Sequence, residues 1–187
     1  MANLILQPLT ALGQVAPLIV AIGPYTITER NDVALASLAS RRGRDADVAR
    51  AAVSAGIPLP TPGRAETAGL SAFWLAPDHW MVEAPFATHE DIRAHLLTFF
   101  GDAASITEQT DAWVRFDLAA PDLPRLMERL SNVDLRTAKD GSASRTVIDH
   151  LGCYLIKRAP DEITLYGPRS SAQSLHHALV VAATSVT

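Results

Sequence analysis

The chain has 187 residues, a formal net charge of −4 and a single cysteine, Cys153. A chain of this length forms one domain, or one domain with a smaller lobe, and it buries enough surface to fold without disulfides. The acidic balance gives no support for binding nucleic acid or an anionic membrane, and one cysteine argues against a disulfide framework and a cysteine-based metal site.

The same data predict a cytoplasmic protein. A lone cysteine suits a reducing compartment. The apolar run Val15–Ile22 contains Pro17 and is far shorter than the roughly 20 residues of a membrane span. No Lys or Arg precedes Arg30, so the charged segment that opens a secretory signal is missing. Charged residues make up only 19% of the chain, which favours an apolar surface patch that a partner covers.

The first third of the chain predicts a small N-terminal α/β lobe. Residues 1–24 are an apolar lead-in without clear periodicity, and we expect them to pack along another element of this chain or of a partner. Tyr25–Arg30 alternates as a strand does. Asp45–Ala55 has a helical pattern, with Asp45 as its cap and Gly56 at its end. Ile57–Arg64 carries three prolines and predicts a boundary, with the N-terminal lobe in residues 1–64 and the main α+β domain in residues 65–187.

The main domain begins with a predicted hairpin at Leu70–Pro85. Pro77 and Asp78 favour a turn between two short apolar runs. Trp74 and Trp80 flank that turn, and two large aromatic side chains favour a role in the core over stacking on a ligand.

Helices and strands alternate after the hairpin. Thr88 and Asp91 resemble a capping box for a helix that Gly101 ends. Two strands follow, and Pro121 then opens a second helix. Three further strands precede a last helix that starts at Ser170 or Ser171. The strands are Ala104–Glu108, Ala112–Leu118, Arg145–His150, Cys153–Arg158 and Glu162–Tyr166. Strand pairs that alternate with single helices predict an α+β fold of ferredoxin-like units.

No catalytic, cofactor-binding or metal-binding residues are predicted. The sequence lacks the glycine-rich loops that hold dinucleotides and nucleoside phosphates, and it lacks the Gly-x-Ser-x-Gly nucleophile motif. The six histidines do not have metal-ligand spacing, and Cys153 begins an alternating strand in which a buried, inert thiol is expected.

Four residues are candidates for contact with a partner: Trp113, Arg115, Arg41 and Arg42. In Ala112–Leu118 the period of two sends Val114, Phe116 and Leu118 to the core, so Trp113 and Arg115 share the other face. If that face is open, the pair has the composition of an interface hot spot; if a helix covers it, Trp113 is an ordinary core residue. Arg41 and Arg42 belong either to a solvated loop or to a contact with an anion or acidic partner.

The hairpin carries a resemblance to a known family. Phe73-Trp74-Leu75-Ala76-Pro77-Asp78-His79-Trp80-Met81 resembles the W-L-G-P-D-x-W-L stretch of the gamma subunit of heterotetrameric sarcosine oxidases. More broadly, the chain resembles the folate-binding fold of the glycine-cleavage T-protein from about Asp32 to Ala183. The sequence departs from the family at three places: Ala76 replaces a glycine, the family's strand-to-helix glycine is absent at Ala119-Ala120, and Gln109-Thr110-Asp111 lies where T-proteins show an Asp-x-Ser pattern.

The resemblance implies a function for a complex and not for this chain alone. The family's enzyme demethylates sarcosine to glycine, forms methylene-tetrahydrofolate or formaldehyde, and reduces oxygen to hydrogen peroxide. The gamma subunit is its small non-catalytic member. It contacts the alpha subunit directly and the beta and delta subunits within the complex, and FAD, FMN, NAD and tetrahydrofolate belong to partner subunits.

Two alternatives stay open at this stage. One is a free-standing folate-binding or aminomethyltransferase-like protein. The other is a gamma-like subunit of a related dehydrogenase for a different N-methylated amine.

Overall fold

The computed structural model describes residues 7–187, which form two antiparallel sheets flanked by four α-helices. The first six residues of the predicted lead-in lie outside this range. The helices are α1 (Asp45–Ala55), α2 (Ile92–Phe100), α3 (Leu123–Met127) and α4 (Ala172–Val186). The strands are β1 (Ile19–Ile22), β2 (Tyr25–Arg30), β3 (Val33–Ser40), β4 (Ala65–Thr67), β5 (Ser71–Ala76), β6 (His79–Pro85), β7 (Ala104–Glu108), β8 (Trp113–Ala119), β9 (Ala143–Ile148), β10 (Leu151–Ala159) and β11 (Glu162–Pro168). The α+β class is as predicted.

The two sheets are copies of one unit. Sheet A has the order β1-β2-β8-β11-β10-β9, and sheet B has the order β4-β5-β6-β3-β7. Reversing the order of sheet B aligns β7, β3, β6, β5 and β4 with β2, β8, β11, β10 and β9. Helices α1 and α2 then occupy the chain positions of α3 and α4. The unit therefore occurs twice, except that β2 comes from the start of the chain whereas β7 follows its own helix.

The pairing register assigns equivalent residues in the two halves. Val33 pairs with Pro85 in sheet B, and Trp113 pairs with Pro168 in sheet A. Two residues further along the first strand of each pair, Leu35 faces Glu83 and Arg115 faces Tyr166. These equivalences locate corresponding positions in the two halves.

The sheets pack face to face, with helices on both outer surfaces. Side chains of sheet B that include Val82 contact α1 and α2 in one core cluster, and side chains of sheet A that include Phe116 contact α3 and α4 in another. A third cluster lies between the sheets, where Phe73 packs against Tyr154 and Tyr166 with ring centroids 5.4 and 5.5 Å apart. Alternation along each strand thus supplies a helix-facing side and a sheet-facing side.

Hydrogen bonding crosses the predicted domain boundary at residue 64. Strand β3 lies between β6 and β7 in sheet B, and β2 pairs with β8 in sheet A. The strands between residues 7 and 64 therefore complete sheets that later residues build, and the division into a lobe and a main domain stays a prediction.

Helix starts differ from prediction at three places. Helix α1 follows Arg44, and Asp45 is its first residue and not its cap. The cap of α2 is Asp91, whose side chain accepts a hydrogen bond from the Ala94 N–H, while Thr88 ends a short 3-10 turn. Helix α3 is capped by Asp122 and not opened by Pro121. In α2 and α3 an aspartate nearer the first turn reaches the free N–H groups of that turn. The predicted ends at Gly56 and Gly101 are confirmed.

None of the helices in residues 7–187 has the length and apolar character that a membrane span requires.

Candidate functional site

A buried ion network joins the two sheets. Glu83 of β6 is 5% exposed. Its Oε1 accepts hydrogen bonds from the Tyr166 hydroxyl at 2.5 Å and from Arg158 Nη2 at 2.6 Å. Arg115 Nη1 lies 3.6 Å from the same oxygen. One carboxylate of sheet B thus faces three donors of sheet A.

Asp117 and Thr164 extend the network along sheet A. Arg115 donates to both carboxylate oxygens of Asp117, through Nε at 2.8 Å and Nη2 at 2.9 Å. Thr164 donates to Asp117 at 2.7 Å and accepts from Arg158 Nε at 3.1 Å. Bidentate pairing and the hydroxyl bridge hold these side chains in fixed positions.

Burial and charge act together on the titratable groups here. Burial disfavours the phenolate of Tyr166, and the neighbouring Glu83 carboxylate disfavours it further, so the pKa of Tyr166 is raised well above its usual range. Burial lowers the pKa of Arg115, but Tyr166, Asp117 and Glu83 more than offset this, and the net pKa of the guanidinium is raised. At neutral pH, Tyr166 is therefore a neutral donor and Arg115 a cation.

The network is suited to fastening the sheets and not to acid–base catalysis. Glu83 Oε1 is saturated by its donors, and Oε2 is buried without a hydrogen-bond partner among residues 7–187. A general acid or base must reach a substrate proton, and these atoms face each other inside the protein.

Trp113 and Arg115 do not lie on an open face. Sheet B covers that side of β8, so the side chain of Arg115 is only 18% exposed. Trp113 packs against Tyr154 with ring centroids 5.4 Å apart and donates from Nε1 to Gln109 Oε1 at 3.3 Å. The prediction considered solvent or a helix on this face; a second sheet occupies it, because the unit is duplicated. Their role in a partner contact stays a prediction.

Arg41 and Arg42 lie exposed on the loop between β3 and α1. Their neighbour Arg44 is engaged by Asp47 and Asp102. Within residues 7–187, no acidic side chain forms an ion pair with Arg41 or Arg42. The structure therefore brings Trp113 and Arg115 together between the sheets and leaves the arginine pair apart from them.

Cys153 is buried against the α3/α4 core, and burial raises the pKa of its thiol to about 11. Across residues 7–187, no three His, Cys, Asp or Glu side chains are grouped closely enough to hold a metal ion.

Glu83, Arg158, Thr164 and Tyr166 were not predicted, although an internal repeat of the sequence indicates the face on which they lie. Ile27-Thr28-Glu29-Arg30-Asn31-Asp32 and Ile106-Thr107-Glu108-Gln109-Thr110-Asp111 share four of six residues. This hexapeptide ends β2 and β7, the two equivalent strands. It is the signal that could have revealed the duplication and, with it, a face between two sheets.

The fold resembles two solved structures. The first is a chain of heterotetrameric sarcosine oxidase from Corynebacterium sp. U-96 in complex with pyrrole 2-carboxylate, with a TM-score of 0.76 and 16% identity over 90% of this chain and 88% of that chain. The second is aminomethyltransferase T of the glycine cleavage system from Bartonella henselae, with a TM-score of 0.62 and 14% identity over 83% of this chain and 48% of that chain. No protein-family model matches the sequence, and no curated protein does. At these identities the likeness establishes the fold, which is the T-protein-like folate-binding fold.

Proposed function

We propose that this chain is the small, non-catalytic gamma-type subunit of a heterotetrameric sarcosine oxidase. The observation that carries the proposal is the near end-to-end match with a chain of such an oxidase, 90% of this chain against 88% of that one. The aminomethyltransferase, by contrast, is matched over 48% of its length. The higher TM-score, 0.76 against 0.62, supports the first assignment over a free-standing transferase.

The exposed apolar residues near the N-terminus support a role in assembly. Val15 is 77% exposed and Ile19 is 65% exposed, and the first charged residue of the chain is Glu29. Edge strands of free-standing proteins usually carry charges that prevent pairing. An uncharged strand β1 at the edge of sheet A suits a chain that a partner covers.

In this proposal the chemistry resides on other subunits of a cytoplasmic complex. The alpha subunit contacts this chain, the beta and delta subunits complete the assembly, and FAD, FMN, NAD and tetrahydrofolate bind to the partners. The complex oxidatively demethylates sarcosine to glycine. Arg41 and Arg42 are the proposed contact with an acidic partner surface. Trp113 and Arg115 lie between the two sheets, so any effect they have on a partner contact is indirect.

The test is co-expression of the chain with its candidate alpha, beta and delta partners, followed by affinity capture on a tag carried by this chain. We expect a stable complex that contains flavin and oxidises sarcosine. Replacing Arg41 and Arg42 by Glu should weaken capture, whereas Arg129→Glu, an exposed arginine on another surface, should not.

Two outcomes would replace the proposal. A monomer that binds tetrahydrofolate tightly and captures no flavoprotein would favour the free-standing folate-binding protein. A captured complex that oxidises another N-methylated amine but not sarcosine would identify a related dehydrogenase.

A further inference from the structure

A cavity of about 180 Å³ lies between the two sheets, beside the ion network. Its walls come from equivalent positions of the two halves and from the segment around Leu9. The volume is below the roughly 300–1,000 Å³ of sites for drug-sized ligands. A molecule held here has to be small.

The two halves contribute opposite chemistry to this cavity. Sheet B supplies Val33 and Leu35, followed by Phe86 after β6. The equivalent positions are Trp113 and Arg115 in sheet A and Arg169 after β11. The wall of sheet B is therefore mainly apolar, with Thr110 and Asp111 at its edge, and the other wall carries an aromatic ring and two guanidinium groups, of which that of Arg169 pairs with Asp111 at 3.8 Å.

A third arginine places like charges directly opposite each other. Arg30 of β2 is the cross-strand partner of Arg115, and both line the cavity. Like charges at directly paired positions destabilise a sheet. Gln109 occupies the equivalent position beside Leu35 in the other half, so the fold does not require a cation there.

Each of the two paired arginines binds an aspartate through the same two nitrogens, Nε and Nη2. Arg30 donates to Asp32 through Nε and Nη2, as Arg115 does to Asp117. Each aspartate lies two residues after its arginine. Within residues 7–187, Arg30 Nη1 makes no hydrogen bond, and Arg115 Nη1 makes only a long one of 3.5 Å to Tyr166. The aspartates thus fix both guanidinium groups. Arg30 Nη1 is left for another acceptor, whereas Arg115 Nη1 also lies 3.6 Å from the buried Glu83 carboxylate.

We propose that this cavity binds a small monocarboxylate with a flat, apolar body. The carboxylate accepts a hydrogen bond from Arg30 Nη1 beside the Arg115 guanidinium, and the body packs between Trp113 on one side and Leu35 and Phe86 on the other. Guanidinium groups match the geometry of a carboxylate. The apolar wall favours an organic acid over inorganic phosphate. Binding here is a property of this chain alone and does not depend on the proposed assembly.

Isothermal titration of the purified chain with benzoate tests the proposal, with benzamide as a neutral molecule of the same shape. We expect saturable binding of benzoate and at least about tenfold weaker binding of benzamide, the ratio that one charge-assisted hydrogen bond supplies. Arg30→Gln, which introduces the residue of the equivalent position, should weaken benzoate binding by a similar factor. The matched control Arg41→Gln, on an exposed loop, should bind as the wild type does.

Three results would overturn the proposal: no saturable binding of benzoate, equal affinity for benzoate and benzamide, or equal affinity of the Arg30→Gln and Arg41→Gln variants for benzoate. Inorganic phosphate that binds as tightly as benzoate would remove the role assigned to the apolar wall. If Arg30→Gln does not fold, as judged by its melting curve, Arg169→Gln replaces it in the same comparison.

Discussion

At the scale of the residue, the carboxylate of Glu83 decides how the two sheets are joined. It is the acid of sheet B that meets the Tyr166 hydroxyl and the guanidinium groups of Arg158 and Arg115. Removing one partner of a buried ion pair destabilises a protein more than replacing both partners by apolar residues, because the remaining charge stays buried.

We therefore expect Glu83→Gln to lower the free energy of unfolding by roughly 3 kcal/mol, since Arg115 and Arg158 would face a neutral amide. Urea denaturation at neutral pH measures the change. Glu66→Gln, an exposed carboxylate of β4, is the control and should be close to wild type. Equal stability of the two variants would show that the network does not hold the sheets together.

Cys153 predicts a pH dependence. Its folded pKa is raised from 9.0 to about 11, so the folded state retains the proton more strongly than the unfolded state. The resulting stability is complete below pH 9 and is lost as the pH rises towards 11. We expect wild type to lose roughly 1–3 kcal/mol more than Cys153→Ala over this range.

Denaturation at pH 8 and at pH 11 measures this difference in slope, and the raised pKa of Tyr166 affects both proteins equally. In the native protein at pH 8, the thiol should also resist iodoacetamide until urea unfolds the chain. Rapid labelling of the native thiol would contradict its assignment as buried and inert.

At the scale of the element, the strands that were predicted are those with marked alternation or a clear turn. The hairpin of β5 and β6 was predicted because Pro77 and Asp78 favour a turn between the two strands, and Asp78 does adopt a left-handed φ of 57°. Strand β8 was found because its large apolar residues recur at every second position. Both signals are local, so the sequence carries them without the fold.

Strand β3 was missed although it lies inside sheet B. Its sequence, VALASLAS, is rich in alanine and serine, which have little preference for strands. Ala34 and Ala36 are fully buried beneath α1 and α2. Small side chains let the helices approach the sheet, and this packing requirement is invisible before the partner helices are known.

Ala36→Val tests whether packing or strand preference dominates in β3. Valine favours strands, but at this position we expect a loss of about 1–3 kcal/mol from overpacking. Ala21→Val, on the edge strand β1, introduces the same side chain at an exposed position and should change stability by no more than about 0.5 kcal/mol. Thermal melting compares them, and a more stable Ala36→Val variant would refute the packing explanation.

At the scale of the whole molecule, two copies of one unit share a single interior. The class of fold followed from the alternation of strands and helices, but the partition into two sheets did not. The predicted lobe boundary stays a prediction that rests on a local run of prolines. Pairing of β2 with β8 and of β3 with β7 joins residues far apart in the chain. Such non-local pairing leaves no local pattern.

We expect both halves to unfold in one transition because Phe73 and the ion network couple them. Single-tryptophan variants provide the measurement: Trp80 of β6 monitors sheet B and Trp113 of β8 monitors sheet A. Their thermal midpoints should coincide. Phe73→Ala should lower both midpoints together, because removing a buried aromatic ring reduces the free energy of unfolding by roughly 3–5 kcal/mol. Separate midpoints would show that the halves are independent units.

Because β2 comes from the start of the chain and pairs with the later strand β8, the two sheets are completed at different times during synthesis. Sheet B is complete once residue 108 has been made, since all its strands lie between residues 33 and 108. Strands β1 and β2 leave the ribosome before all the other strands, yet β8, the partner that joins them to sheet A, begins at Trp113. At about 5–20 residues per second, Arg30 precedes Arg115 by roughly 4–17 s. During that interval the uncharged leading segment and β2 have no sheet to join, so the nascent chain has to avoid aggregation or be shielded by a chaperone until the second half emerges.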